Sequence, residues 1–434
     1  MTIYEQIRAA AEELQPRLQM LRRDLHTHPE LGWREVRTSS LIASRLTELG
    51  YQVLTGRDVC HEDCRLCNVD AETLEEAYQQ ALRQGAVQPY AEAARGGYTG
   101  VIGILDCGEG PTIAMRFDID ALPTQEELSE ERRAVREGFA SENPGAMHAC
   151  GHDGHITVGL GTAEVLASLK SQLRGRIKLI FQPTEEGVQG AISVVRSGHL
   201  DDVEFVLGSH ICDNGGGDGQ VGFIAGSTLA TSKLDVVFTG LSAHAGATPE
   251  KGNNAMLAAA AAVQNLYAIS RTSEGDTRVN VGALQAGTTY NIICDRAEIK
   301  MEVRGATDAA YHYMEERART VIAAAAAMHN CTAEITLVGA ADALTSDQEL
   351  VDRCAVLCGE KLGLRATAPE TWSISEDFSC MVNRVREMGG KGLFFRNLTA
   401  CACPLHGSIF DFDEAALSNG VQVFCGMACD LMGL

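Results

Sequence analysis

The sequence predicts an α/β protein, with a mostly parallel-sheet domain interrupted by a smaller ferredoxin-like β-α-β-β-α-β domain. Three observations predict it. From Thr99 onward, short apolar runs alternate with helical stretches, as in a parallel sheet covered on both faces. Between 227 and 339 the order becomes strand, helix, strand, strand, helix, strand. Residues 340–434 then return to helix and strand, so the larger domain is discontinuous, 1–226 with 340–434.

The elements follow in order. Residues 3–48 read as helices, the second carrying Leu41, Ile42, Leu46 and Leu49 at helical spacing before Gly50. Residues 51–55 form a short strand. Residues 56–97 are polar and irregular around one helical piece, 71–85, and read as a surface insertion. The runs GVIGILD, TIAMRFD, RIKLIFQ and VEFVLGS are buried strands, with ITVGLGTAEVLASLK a helix among them. In the inserted domain SKLDVVFTG, RVNVGALQAG, RAEIKMEVRG and CTAEITLVG are strands. NNAMLAAAAAVQNLYAIS and DAAYHYMEERARTVIAAAAAMH are its helices.

Asp and Glu outnumber Lys and Arg by 58 to 36, a net charge of −22. Such a surface repels nucleic acid and anionic membranes and argues against both as partners. An anionic substrate would need a local Arg or Lys. No apolar run approaches the ~18 residues of a membrane span, and the N-terminal residues lack the apolar core of a signal peptide. Fifteen cysteines without an export signal point to a reducing cytoplasm.

The chemistry-bearing residues gather at strand ends, where open α/β sheets bind ligands. TIAMRF runs into Asp118-Ile119-Asp120, RIKLIF towards Glu185-Glu186, and VEFVLGS into His210. Cys150-Gly151-His152 lies just before a helix, and His406 follows LFFRN and a loop. Thiolate, imidazole and carboxylate together suit Zn²⁺ and tolerate Mn²⁺ or Co²⁺. Adjacent carboxylates repel unless a cation reconciles them. One of Glu185 and Glu186 can then bind the metal while the other takes a proton from water acidified by it. A lone histidine is more often a satisfied core residue, and a lone Glu-Glu pair a solvated face. The coincidence of all of them at strand ends outweighs those readings. Cys60, Cys64 and Cys67 have a spacing able to hold an iron–sulfur cluster, but no fourth ligand is assignable and free thiols are expected.

Five segments carry a resemblance: FDIDALP at 117–123, MHACGHDGH at 147–155, FQPTEEG at 181–187, LSAHAGATPEKGNNA at 241–255 and SEDFS at 375–379. The chain resembles the M20 metallopeptidase family, in the aminoacylase/amidohydrolase branch that includes indoleacetyl-amino-acid hydrolases. The insertion at 56–86 resembles that of members acting on p-aminobenzoyl-glutamate. The resemblance implies a catalytic domain holding two divalent ions, Zn or Mn, and an inserted lid domain through which subunits dimerise. It implies Cys150, His152, Glu186, His210 and His406 as metal ligands and Glu185 as general base. Asp120 would support a metal-bound histidine from behind, ahead of Asp118. In the lid, His244 would reach a neighbouring subunit's site and steady the oxyanion there, while Asn291 and Arg304 would hold the substrate's carbonyl and carboxylate. Cys294 stands where the family often has proline, which would loosen the loop presenting Asn291.

The expected activity is hydrolysis of an N-acyl or N-aroyl amino acid, with p-aminobenzoyl-glutamate or a related folate-breakdown product as substrate. A homodimer, or a heteromer with a homologous subunit, is expected; the rivals are a general N-acyl-amino-acid or dipeptide hydrolase, a structural or regulatory subunit needing a homologous partner, and a cysteine-rich iron or redox protein.

Overall fold

The structure is a computed structural model describing residues 1–66, 69–372 and 374–434. Among the described residues, the strands are β1 (Gln52–Thr55), β2 (Val101–Asp106), β3 (Thr112–Asp118), β4 (Arg176–Gln182), β5 (Phe205–Asp213), β6 (Val221–Phe223), β7 (Ala230–Thr239), β8 (Thr277–Ala286), β9 (Arg296–Gly305), β10 (Thr332–Ala341) and β11 (Lys391–Thr399). The chain divides into two compact units. One comprises Met1–Gly226, Thr345–Trp372 and Asp377–Leu434; the other comprises Ser227–Leu344 with a short segment ending at Glu376.

The first unit holds a seven-stranded sheet in the order β1-β2-β4-β3-β5-β11-β6. Its centre, β4-β3-β5-β11, is parallel, while β2 and β6 run antiparallel to their inner neighbours. Parallel neighbours need crossovers, and the β3-to-β4 crossover carries the helix His152–Ser168. That helix is buried on nearly every side, and glycine lets it lie close on the sheet. A Cβ at Gly159 would come 2.7 Å from the Phe181 ring and 2.8 Å from Phe117. Phe117 packs in turn on Phe181 and Phe424, and Phe424 on Phe395, so one aromatic layer joins sheet and helices.

The second unit runs strand, helix, strand, strand, helix, strand. Its sheet, β10-β7-β9-β8, is antiparallel throughout. Leu234, Val236, Phe238, Ile299 and Val303 form its core with alanines of the helices Ala255–Tyr267 and Asp308–Met328. These small side chains let the helices approach closely. Among the described residues, no helix is long and apolar enough to cross a membrane.

The helix Val36–Glu48 has no side-chain bond from its own N-cap residue, Glu35. Glu30 caps it instead, from six residues before the helix. Its carboxylate oxygens accept from Arg37 N at 2.9 Å and Thr38 N at 2.8 Å. Burial nonetheless outweighs these bonds and pushes the Glu30 carboxyl up from 4.5 to about 7. The native state therefore binds a proton that the unfolded chain releases over that window. Glu30's contribution to stability should rise as pH falls from about 7 to 4.5. Urea unfolding of wild type and Glu30→Gln across this window checks it: the stability difference should change with that sign. Glu30→Ala strands two buried amides and is expected to lose about 2–4 kcal/mol.

Candidate metal centre

The parallel strands deliver their carboxyl ends to one edge. Asp118 ends β3 opposite Gln182 at the end of β4, and Gly208 of β5 lies opposite Arg116. His210, two residues on, therefore reaches the level of Asp118. Gly151 precedes the helix His152–Ser168 with φ of 83°, a conformation that suits glycine. That turn places Cys150 and His152 on either side of it, at the same edge.

Two donor groups result. Cys150, His152 and His210 offer ligand atoms within 4.8 Å of one another, and so do Cys150, Glu186 and His406. The thiol belongs to both. Cys150 Sγ lies 3.3 Å from His210 Nε2 and 3.4 Å from His406 Nε2. His406 Nε2 stands 3.5 Å from a Glu186 oxygen. Its backbone N–H donates to Ala149 at 2.7 Å, tying its loop to the Cys150 segment. His406 is the exposed wall of the group; the other ligand candidates are buried or nearly so. A further group, His152, Glu185 and Glu186, satisfies the same criterion.

The electrostatics fit a cation. Among the described residues the buried His152 Nε2 has no hydrogen-bond partner; it lies 3.7 Å from Glu186 and 3.9 Å from Glu185. Burial pushes Glu186 up to about 7 and the Cys150 thiol well above its ordinary range, with Glu186 adding to the rise at the thiol. Burial and the neighbouring His155 depress His210, leaving a neutral imidazole. A thiol and a carboxyl whose anionic forms burial disfavours, gathered beside imidazole nitrogens, are what a divalent ion stabilises.

The supporting residues are polar and deeply buried. His152 Nδ1 lies 2.8 Å from the Asp120 backbone oxygen and 3.3 Å from its carboxylate. The Asp120 carboxylate also accepts from Glu185 N and Glu186 N, each at 3.0 Å. Asp118 bonds His155 Nδ1, and His155 Nε2 accepts from Ile211 N at 2.8 Å. Asp118 thus steadies the β5 end beside His210. Arg116 pairs with Asp118 at 2.6 Å and Asp377 at 3.0 Å. Asp377 also accepts from Gln182.

Sequence reasoning missed a second buried network. Arg22, fully buried, reaches Asp153 at 2.9 Å, Asp411 at 3.1 Å and Glu414 at 3.5 Å. Asp153 also accepts from His26 at 2.7 Å. Arg22 and Asp153 lie 131 positions apart in the sequence, so no local pattern links them. Arg22→Met leaves buried carboxylates without their cation and is expected to cost about 3–5 kcal/mol, read as a fall in the urea midpoint.

In the second unit, His244 Nδ1 accepts from Gly246 N and Ala247 N, each at 3.1 Å. Nε2 therefore carries the proton of the neutral ring and can donate. Asn291 sits beside it, its carbonyl accepting from Ala245 N at 3.0 Å. The loop carrying Asn291 and Cys294 is tied by Ile293 N to Ala243 O at 2.9 Å and Ala255 N to Cys294 O at 2.8 Å. Arg304 is held by Glu302, with two contacts of 3.1 Å, so a substrate carboxylate would have to share that guanidinium. In the insertion, Cys60 is buried and its thiol pushed up to about 12. Cys64 is half-buried, and Cys67 lies outside the described residues. The described cysteines are all free thiols.

Residues 114–430 match peptidase family M20/M25/M40. The chain is 43% identical over 416 residues to indole-3-acetyl-aspartic acid hydrolase of Enterobacter agglomerans, covering 94% of each. It is 41% identical over 430 residues to one of the subunits of p-aminobenzoyl-glutamate hydrolase from Escherichia coli strain K12, covering 98% of each. The fold superposes with a TM-score of 0.68 on the Bacillus subtilis YXEP protein, described as a dinuclear metal-binding peptidase of the M20 family; identity is 27%, covering 97% of this chain and 99% of that one. With this match, and with donor groups able to bind divalent metal at the strand ends, the chain belongs to peptidase family M20 and is a metal-dependent hydrolase.

Proposed function

We propose that this chain hydrolyses the amide joining an acyl or aroyl group to an amino acid, with p-aminobenzoyl-glutamate or a related folate-breakdown product as substrate. The observation that carries the reading is the pair of donor groups sharing Cys150, with the Glu185 carboxylate beside them and outside both. Cys150, His152 and His210 would hold one divalent ion, and Cys150, Glu186 and His406 the other, with Zn or Mn favoured by the donor set. When bound, such ions supply Lewis acidity at the scissile carbonyl and lower the pKa of water.

The chain's own residues do the rest. Glu185 takes a proton from the attacking water as its oxygen bonds to the carbonyl carbon. The carbon–nitrogen bond then breaks, and Glu185 returns the proton to the departing amine. Asp120 steadies His152 and the two glutamate amides. His244 Nε2–H would donate to the oxyanion developing in a neighbouring subunit's site, Asn291 would hold the carbonyl, and Arg304 the free carboxylate. We assign to the second unit the roles of lid and subunit contact, giving a homodimer or a heteromer with a homologous subunit. The free thiols among the described cysteines suit a reducing cytoplasm.

A second reading, a general N-acyl-amino-acid or dipeptide hydrolase, is favoured by the near-equal identities to hydrolases named for two different acyl groups. A substrate panel on the purified chain, with its metal content measured, decides. Preferred cleavage of aminobenzoyl-glutamate supports the first reading. Equal or better cleavage of indoleacetyl-aspartate, acetyl-amino acids or dipeptides supports the second. No cleavage of any of them by a fully metal-loaded chain sinks both for the chain alone, and restoration by a homologous partner would make it a dependent subunit.

A further inference from the structure

The turn that carries Glu185 and Glu186 is held by a carboxylate remote from the metal ligands. Thr184 has a φ of 55°, a left-handed conformation that a β-branched residue rarely adopts and that costs energy. Something must hold it there. Glu35, completely buried, accepts from Thr184 N at 2.9 Å and Thr184 Oγ1 at 3.3 Å. Its other oxygen accepts from Thr99 Oγ1 at 2.6 Å. The Thr184 hydroxyl oxygen in turn accepts from Trp33 N at 2.9 Å. Behind the turn, the Thr184 carbonyl accepts from Gln189 N and Gly190 N, each at 3.2 Å.

Three successive backbone amides are thus claimed by two buried carboxylates: Thr184 by Glu35, and Glu185 and Glu186 by Asp120. We infer that Glu35 is a positioning residue for the hydrolysis: acting through Thr184, it fixes the strained turn that aims the Glu185 carboxylate. Glu35 touches neither substrate nor metal ligand in this scheme. Its effect passes through the backbone of 184 to 186. The inference rests on Glu185 being the general base.

Thr184→Val keeps the shape and removes the hydroxyl that joins Glu35 to Trp33; Thr184→Ser keeps the hydroxyl. Glu35→Gln keeps the shape and one acceptor oxygen but puts an amide NH₂ where Thr99 Oγ1 reaches the other. A misaimed base lowers the chemical step and leaves binding intact. Thr184→Val and Glu35→Gln are therefore expected to lose about 10- to 100-fold in kcat, with KM and metal content unchanged. Thr184→Ser should stay close to wild type. Hydrogen exchange supplies a readout independent of activity: the amides of Glu185 and Glu186 should exchange about 10-fold faster in Thr184→Val. Wild-type kcat and exchange in Thr184→Val would overturn the inference, as would a kcat loss that merely tracks lost metal or raised KM. Should Glu35→Gln fail to fold, Thr184→Val carries the test. If the wild-type chain cleaves no substrate in the panel, the assignment of Glu185 as base falls. The exchange comparison would still decide whether the clamp orders the turn.

Discussion

Glu185→Gln is expected to abolish most turnover while leaving the metal in place. Glutamine preserves shape and one oxygen but cannot carry a proton from water to the leaving nitrogen, so kcat should fall roughly 10²- to 10⁴-fold. Metal content should hold, because the two groups built on Cys150 do not include Glu185. KM should hold as well, since substrate recognition is assigned to Asn291 and Arg304. The measurement pairs steady-state kinetics with elemental analysis of the same preparation. Glu185 also lies within ligand reach of His152 and Glu186. If the variant loses an ion in proportion to activity, Glu185 is a ligand rather than the base.

Cys150→Ala should have the larger effect on metal. The thiol is common to both donor groups, so its loss should empty the centre rather than halve it. Metal content is expected to fall well below one ion per chain, whereas His406→Ala, at the exposed wall of one group, should spare the other ion. Stability supplies a second readout. An ion that binds only the folded chain stabilises it by about 4 kcal/mol at a thousandfold excess over its Kd. Wild-type protein should therefore melt higher as metal is added, and Cys150→Ala should not respond. An unchanged stoichiometry in Cys150→Ala would remove the thiol from the centre.

Some of the site was legible because the chain writes it locally. Cys150 and His152 sit in one short segment, and Glu185-Glu186 and His210 follow short apolar runs that read as buried strands. Strand ends in a parallel sheet converge on one edge, so these residues group from the sequence alone. The family resemblance, not a local pattern, pointed to Asp120 as a support for His152, and its hold on the Glu185 and Glu186 amides carried no signal at all. Those bonds depend on how two separate loops fold over each other. Glu35 and Arg22 carried no signal, and Asp377 only that of its segment, SEDFS. A charged residue in a helical stretch reads as solvated surface, and only the folded chain shows that all three are buried against partners distant in sequence.

By itself, then, the sequence determined the class of fold, the succession of strands and helices, and the donor types gathered at one sheet edge. Hydrophobic periodicity and residue chemistry are local properties and can be read along the chain. Only the tertiary structure decided that Cys150 is shared by two donor groups, that Asp118 serves His155, and that a strained threonine is held by Glu35. Those are distances between side chains from separate segments. Packing, which brings remote residues into contact and strips them of water, sets them.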